Sequence, residues 1–83
     1  MAEKVIMPKL GLTMTDGTIT EIFVKTGDYV NEGDDLMEFE TNKVTDQIHA
    51  PVSGYILKIL VDVDDEISVT EPVCIIGEQG EVV

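Results

Sequence analysis

Four kinds of side chain in this sequence could do chemistry: a lysine in a turn, a single cysteine, a single histidine and a large set of carboxylates. The lysine stands out by placement. Glu40-Thr41-Asn42-Lys43-Val44 separates two strand-like runs, Leu36–Glu40 and Val44–Ile48. Thr41 and Asn42 suit a turn, since Asn hydrogen-bonds locally and tolerates left-handed backbone angles. Lys43 therefore sits at or beside the tip of a short hairpin, near the middle of the chain. Its amine stands in water on a flexible stem, open to a modifying enzyme. The plainer role for such a lysine is to guard the strand edge against pairing with another chain.

The remaining candidates carry less. Cys74 lies in an apolar strand and reads as a small buried hydrophobe. Spacing alone leaves a nucleophilic couple with His49 open, but nothing supports it. One Cys and one His are too few soft ligands for zinc. The carboxylates gather in turns, at Asp34-Asp35, Asp62 and Asp64-Asp65-Glu66. They read as solvated faces rather than a calcium site or an acid/base pair. No phosphate-cradling glycine loop is present. The sequence thus assigns no catalytic residue and no metal ligand.

The whole chain limits what can position these groups. Its 83 residues make one small domain, which buries roughly 60% of its unfolded surface. Aromatic residues are only 5% and Trp is absent, so Val, Ile, Leu and Met must build the core. The net charge of −12 disfavours nucleic acid and anionic membrane surfaces and favours basic protein partners, with an attraction that salt weakens; the same charge also serves solubility. A lone cysteine forms no internal disulfide and fits a reducing compartment. The N-terminus lacks a signal-peptide pattern, and no apolar run is long enough to span a membrane. The expected location is the cytoplasm, or an organelle (mitochondrial) matrix after removal of a targeting segment.

The elements read as short strands: Val5–Met7, Gly17–Val24, Tyr29-Val30, Leu36–Glu40, Val44–Ala50, Gly54–Val61, Ile67–Val69 and Val73–Ile76. No stretch holds a helical apolar period. Lys9–Asp16 is a loop in which Leu10, Leu12 and Met14 alternate with Gly11 and Thr13, either plugging an open core or meeting a partner. The domain is expected to span 1–77, with a flexible linker beginning over 78–83.

Gly17–Glu40 superposes on Gly54–Gly77 without a gap. Ile19 meets Ile56, Ile22 meets Ile59, Asp28 meets Asp65, Met37 meets Cys74 and Phe39 meets Ile76. Both halves break strict alternation between the paired isoleucines, as a shared bulge would. Upstream, Ile6-Met7-Pro8 matches His49-Ala50-Pro51. Pro8 to Gly17 is longer than Pro51 to Gly54, so the first half carries an insertion, the apolar loop. Two copies of a four-strand unit, neither able to bury its apolar face alone, should pack face to face. The expected fold is all-β: a flattened eight-strand barrel or sandwich of two four-stranded antiparallel sheets with pseudo-two-fold symmetry. The lysine turn joins the halves at one end, with both termini at the other.

Met7-Pro8-Lys9-Leu10-Gly11, Gly17-Thr18-Ile19, Gly27–Asp34, Glu40-Thr41-Asn42-Lys43-Val44 and Ala50-Pro51-Val52-Ser53-Gly54, in this order and spacing, resemble the lipoyl domain of the 2-oxo acid dehydrogenase complexes. The resemblance runs from Val5 to Gly77. It departs at Asn42, where the family usually has Asp. It implies that Lys43 carries lipoic acid in amide linkage, set in the turn by Glu40, Thr41, Asn42 and Val44. It implies as partners a lipoate ligase or lipoyl transferase and a thiamine-dependent dehydrogenase that reductively acylates the dithiolane. An acyltransferase domain that passes the acyl group to coenzyme A and a flavin-dependent dihydrolipoamide dehydrogenase complete the set. The parent chain would be a dihydrolipoamide acyltransferase, this domain being a monomeric, non-catalytic carrier. The loop residues Leu10, Gly11, Leu12, Thr13 and Met14 would help the decarboxylase recognise the domain.

A biotin carrier domain shares the hairpin lysine, normally between two methionines; here Asn42 and Val44 flank it. An unmodified β-sandwich interaction module is the reading from another class. If the loop serves recognition, replacing Leu10, Leu12 or Met14 by Ser should slow reductive acylation in a single-turnover assay while Lys43 is still modified.

Overall fold

The computed structural model describes residues 2–8 and 15–80. The loop residues Leu10, Gly11, Leu12, Thr13 and Met14 lie outside them. The described residues form eight strands joined by turns: β1 (Glu3–Ile6), β2 (Asp16–Ile22), β3 (Tyr29–Val30), β4 (Asp35–Glu40), β5 (Thr45–His49), β6 (Gly54–Ile59), β7 (Glu66–Ser68) and β8 (Pro72–Gly77). They pair antiparallel in two four-stranded sheets, ordered β1-β8-β6-β3 and β5-β4-β2-β7. Each sheet keeps two open edges, so the body is a sandwich and not a closed barrel.

The two copies do not each form one sheet. Each sheet takes its inner pair of strands from one copy and both edge strands from the other. β3 and β7, the two shortest strands, each dock on the long second strand of the other copy. Ile56 N–H donates to Asp28 O at 2.8 Å, and its counterpart Ile19 N–H donates to Asp65 O at 2.9 Å. Asp28 and Asp65 also accept, through Oδ2, the amides of Lys25 and Asp62, at 3.0 and 2.8 Å. These side-chain bonds fix the turns that carry the chain across.

The symmetry extends to irregular features. The ladder shifts register between Ile19 and Glu21 in β2, and at the matching point, between Ile56 and Lys58, in β6. This is the shared bulge that the alternation break anticipates. Left-handed backbone recurs as well: Gly27 (φ 98°) matches Asp64 (φ 76°), and Gly33 (φ 93°) matches Thr70 (φ 71°). The second copy thus uses side-chain-bearing residues where the first uses glycine.

The core lies between the sheets and is built from paired positions: Ile19 with Ile56, Leu36 with Val73, Met37 with Cys74, Phe39 with Ile76, all at most 1% exposed. Each large apolar side chain buried there contributes roughly 1.5–3 kcal/mol. No polar side chain is buried among the described residues. Gly54 is required by packing, since a Cβ there would lie 2.8 Å from Ile76 Cγ2 and 2.9 Å from Gly77 O.

The outer faces of the two sheets share a backbone and differ in chemistry. On one, a row across the strands reads Lys4, Ile75, Lys58. The equivalent row on the other reads Gln47, Glu38, Glu21. Tyr29 and Tyr55, edge to face with ring centroids 5.1 Å apart, occupy the places that Glu66 and Thr18 hold on the second sheet.

The register also separates the two ends of the molecule. Glu3 pairs with Ile76, and Tyr55 with Gly77, so both ends of the described chain meet beside Gly54. Ser53 Oγ accepts the Glu32 amide at 2.9 Å and Ala50 O accepts the Gly33 amide at 2.8 Å. These contacts put that corner at the base of the β4–β5 hairpin, next to the Asp35–His49 pair. The hairpin closes at the far end, at Glu40 and Thr45.

Thr70 is the costliest of the left-handed positions, because a β-branched side chain crowds its own backbone there. Its amide bond to Met7 O, 3.0 Å, needs no side chain. Thr70→Gly should therefore raise stability by about 0.5–1 kcal/mol net of the unfolded-state entropy of glycine, read as a rise in melting temperature of several degrees.

Candidate functional site

Lys43 lies at the tip of the β4–β5 hairpin, beyond the last ladder pair, Glu40 with Thr45. Thr41 N–H donates to Val44 O at 2.8 Å and closes the loop. The Thr41 hydroxyl holds the rest. Its oxygen accepts Lys43 N–H at 3.2 Å and Val44 N–H at 3.1 Å, and it donates to Val44 O at 3.2 Å. Neither Asn42 nor Lys43 has a positive φ, so the left-handed tolerance of Asn42 goes unused. The turn is set by a side chain, not by a permissive backbone. Sequence reading marks Thr41 as turn-compatible but misses this role; the signal available was the local hydrogen bonding of Ser and Thr in turns.

Glu40, Asn42, Lys43 and Val44 are exposed, and Thr41 is half-buried. The Lys43 ammonium makes no hydrogen bond or ion pair with any described residue. It is a primary amine held out in water on a fixed base, able to form an amide with an activated carboxyl delivered from outside.

The strand leaving the turn has one free edge, and Asp46 guards it: Asp46 Oδ1 accepts the Gln47 amide at 2.7 Å. A carboxylate on an edge amide blunts strand addition. Beside this edge, Ile6 and Pro8 face Asp46–His49 across a shallow groove. Pro8 thus lies on the flank of the lysine-bearing hairpin, and Thr15 is three residues before Thr18, the ladder partner of Glu40.

A family model of the biotin/lipoyl type, described as "Biotin-requiring enzyme", matches residues 3–76. Among curated relatives, the chain is 42% identical over 81 residues to the dihydrolipoyllysine-residue acetyltransferase component of the pyruvate dehydrogenase complex of Corynebacterium glutamicum, covering 98% of this chain and 12% of that protein. It is 35% identical over 81 residues to the corresponding component of the acetoin cleaving system of Bacillus subtilis, covering 98% of this chain and 20% of that protein. The chain therefore spans a fifth or less of these relatives. Among solved structures, the lipoyl domain of the 2-oxoglutarate dehydrogenase complex from Azotobacter vinelandii superposes with a TM-score of 0.69 at 23% identity, over 92% of this chain and 99% of that one. The urea carboxylase of Kluyveromyces lactis superposes with a TM-score of 0.78 at 25% identity, over 93% of this chain and 6% of that one.

The other reactive side chains lie away from the tip and apart from each other. His49 is at the base of the hairpin, where Nδ1 meets Asp35 Oδ1 at 2.8 Å on the surface. Cys74 is wholly buried in β8 of the opposite sheet. No group of three or more His, Cys, Asp or Glu side chains converges among the described residues. Desolvation by burial raises the Cys74 thiol from 9.0 to about 11, because the core cannot solvate a thiolate. Well below pH 9 the thiol is mostly protonated in both states, with a small reactive thiolate fraction only in the unfolded chain. Between about pH 9 and 11 the unfolded chain ionises first, so stability falls as pH rises through this window. Iodoacetamide at pH 8 should leave Cys74 unmodified in the folded domain and alkylate it fully in denaturant, as read by intact mass.

Proposed function

The chain belongs to the biotin/lipoyl family, and we propose that within it this domain is a lipoyl carrier with Lys43 as its attachment point. The observation that carries the reading is the tip itself: an exposed amine, unpaired among the described residues, on a hairpin fixed by hydrogen bonds, at the end of the body remote from Glu3 and Gly77. The relatives named for a dihydrolipoyllysine residue support lipoate over biotin. So do the neighbours of Lys43, since the methionines expected around a biotinyl lysine are replaced by Asn42 and Val44.

The residues present fit such a group. Amide formation needs an accessible amine, and Lys43 is exposed with no partner among the described residues. When attached, a lipoyl group supplies a disulfide that takes up an acyl group and two electrons at a thiamine-dependent 2-oxo acid or acetoin dehydrogenase, gives the acyl group to coenzyme A at an acyltransferase domain, and is reset by a flavin-dependent dihydrolipoamide dehydrogenase. The protein's share is mechanical and electrostatic. The Thr41 hydrogen bonds frame the tip, and Glu3 and Gly77 lie at the other end, so a tether joined there would not obstruct the lysine. Tethering keeps the tip at high effective concentration near its partners. The excess of carboxylates favours partners with basic docking surfaces. The parent chain in this reading is a dihydrolipoamide acyltransferase, in the cytoplasm or an organelle matrix.

Intact mass after expression in cells competent for lipoylation tests the proposal. A lipoyl increment that disappears in Lys43→Arg is expected. A biotinyl increment, or none in the presence of active lipoate ligase, would overturn it.

A further inference from the structure

We propose that Thr41 is the positioning residue for modification of Lys43: its hydroxyl presets the backbone frame that the attaching enzyme recognises. This rests on the reading of Lys43 as the attachment point.

In a hairpin loop of this length, the amide after the tip ordinarily donates to the carbonyl before it. Here the Val44 amide turns instead to Thr41 Oγ1, at 3.1 Å, and the Lys43 amide shares that oxygen at 3.2 Å. The hydroxyl proton goes to Val44 O at 3.2 Å. A hydroxyl has one proton and two lone pairs, and this one uses all three. The amide of the lysine is thereby tied to the strand before the turn, which fixes the direction in which the lysine stem departs.

No other described side chain hydrogen-bonds these two amides. Asn42 and Lys43 occupy ordinary right-handed or extended backbone, and no glycine confines the loop to one turn type. The Lys43 side chain has no partner among the described residues, so its amine searches a cone whose axis is set by the backbone. An enzyme that must meet this amine with an activated carboxyl gains from finding the axis already fixed. Where only a fraction of domains holds the competent frame, apparent affinity falls by that fraction while the bound complex reacts as before.

Thr41→Val keeps the β-branched shape and removes the hydroxyl; Thr41→Ser keeps the hydroxyl. With purified lipoate ligase, lipoate and ATP, the Val variant should show a KM for the domain raised roughly three- to tenfold, the net worth of one or two such bonds, with kcat nearly unchanged. The Ser variant should behave as wild type. Amide exchange at Lys43 and Val44 should quicken by a similar factor in the Val variant, with a single cooperative melting transition lowered by no more than several degrees. A Val variant modified with the wild-type KM, a loss confined to kcat, or a Ser variant as impaired as Val would overturn the inference. A wild-type domain that gains no lipoyl mass would overturn the reading of Lys43, and this inference with it.

Discussion

The crossing of the short strands is the constraint from which the other features follow. Because β3 pairs with β6 and β7 with β2, neither half of the chain can complete a sheet alone. The Ile56–Asp28 and Ile19–Asp65 backbone bonds bind the halves at two symmetric points. The core therefore forms from both copies at once and inherits their pairing. Folding should be cooperative over the whole chain, since removing either half leaves the other with open ladders and an uncovered apolar face. The hairpin between the halves is free of this duty. Its far end makes no contact that closes a sheet, and so its tip can be given over to an exposed lysine.

Much of this was legible in the sequence, for physical reasons. Alternation of apolar residues marks strands because side chains alternate across a sheet, and the eight runs match the eight strands to within a few residues. The shared break between the paired isoleucines marked a bulge, because an inserted residue interrupts alternation in the same place in both copies. The exchange of edge strands was not legible. Tyr29-Val30 and Ile67-Ser68 carry the same apolar residue whichever neighbour they meet, so pattern alone does not choose the partner. That choice comes from the turns at Asp28 and Asp65, whose geometry sequence cannot display.

The site shows the same division. Lys43 was visible because it interrupts the repeat, and the family resemblance attached a chemistry to it. Asn42 drew attention as the residue with backbone freedom, yet the backbone there is ordinary and the hydroxyl of Thr41 sets the loop. A hydroxyl that satisfies two amides leaves no trace in composition or periodicity. His49 and Asp35 were read separately, one as a lone histidine and the other as part of a solvated turn. Their contact depends on the ladder register at the hairpin base.

A body with nearly two-fold backbone symmetry presents an ambiguity to anything that docks on it by shape. Rotated about the pseudo-axis, the lysine turn and the corner where the chain ends meet exchange places, and the main chain looks almost the same. The outer faces remove that ambiguity. Lys4, Ile75 and Lys58 with the tyrosine pair cover one sheet, and Gln47, Glu38 and Glu21 cover the other. The repeated backbone makes a scaffold from little sequence, and the differing solvent-facing rows give it a polarity. Side-chain chemistry tells a visitor which way up the molecule is, and so which end offers the amine.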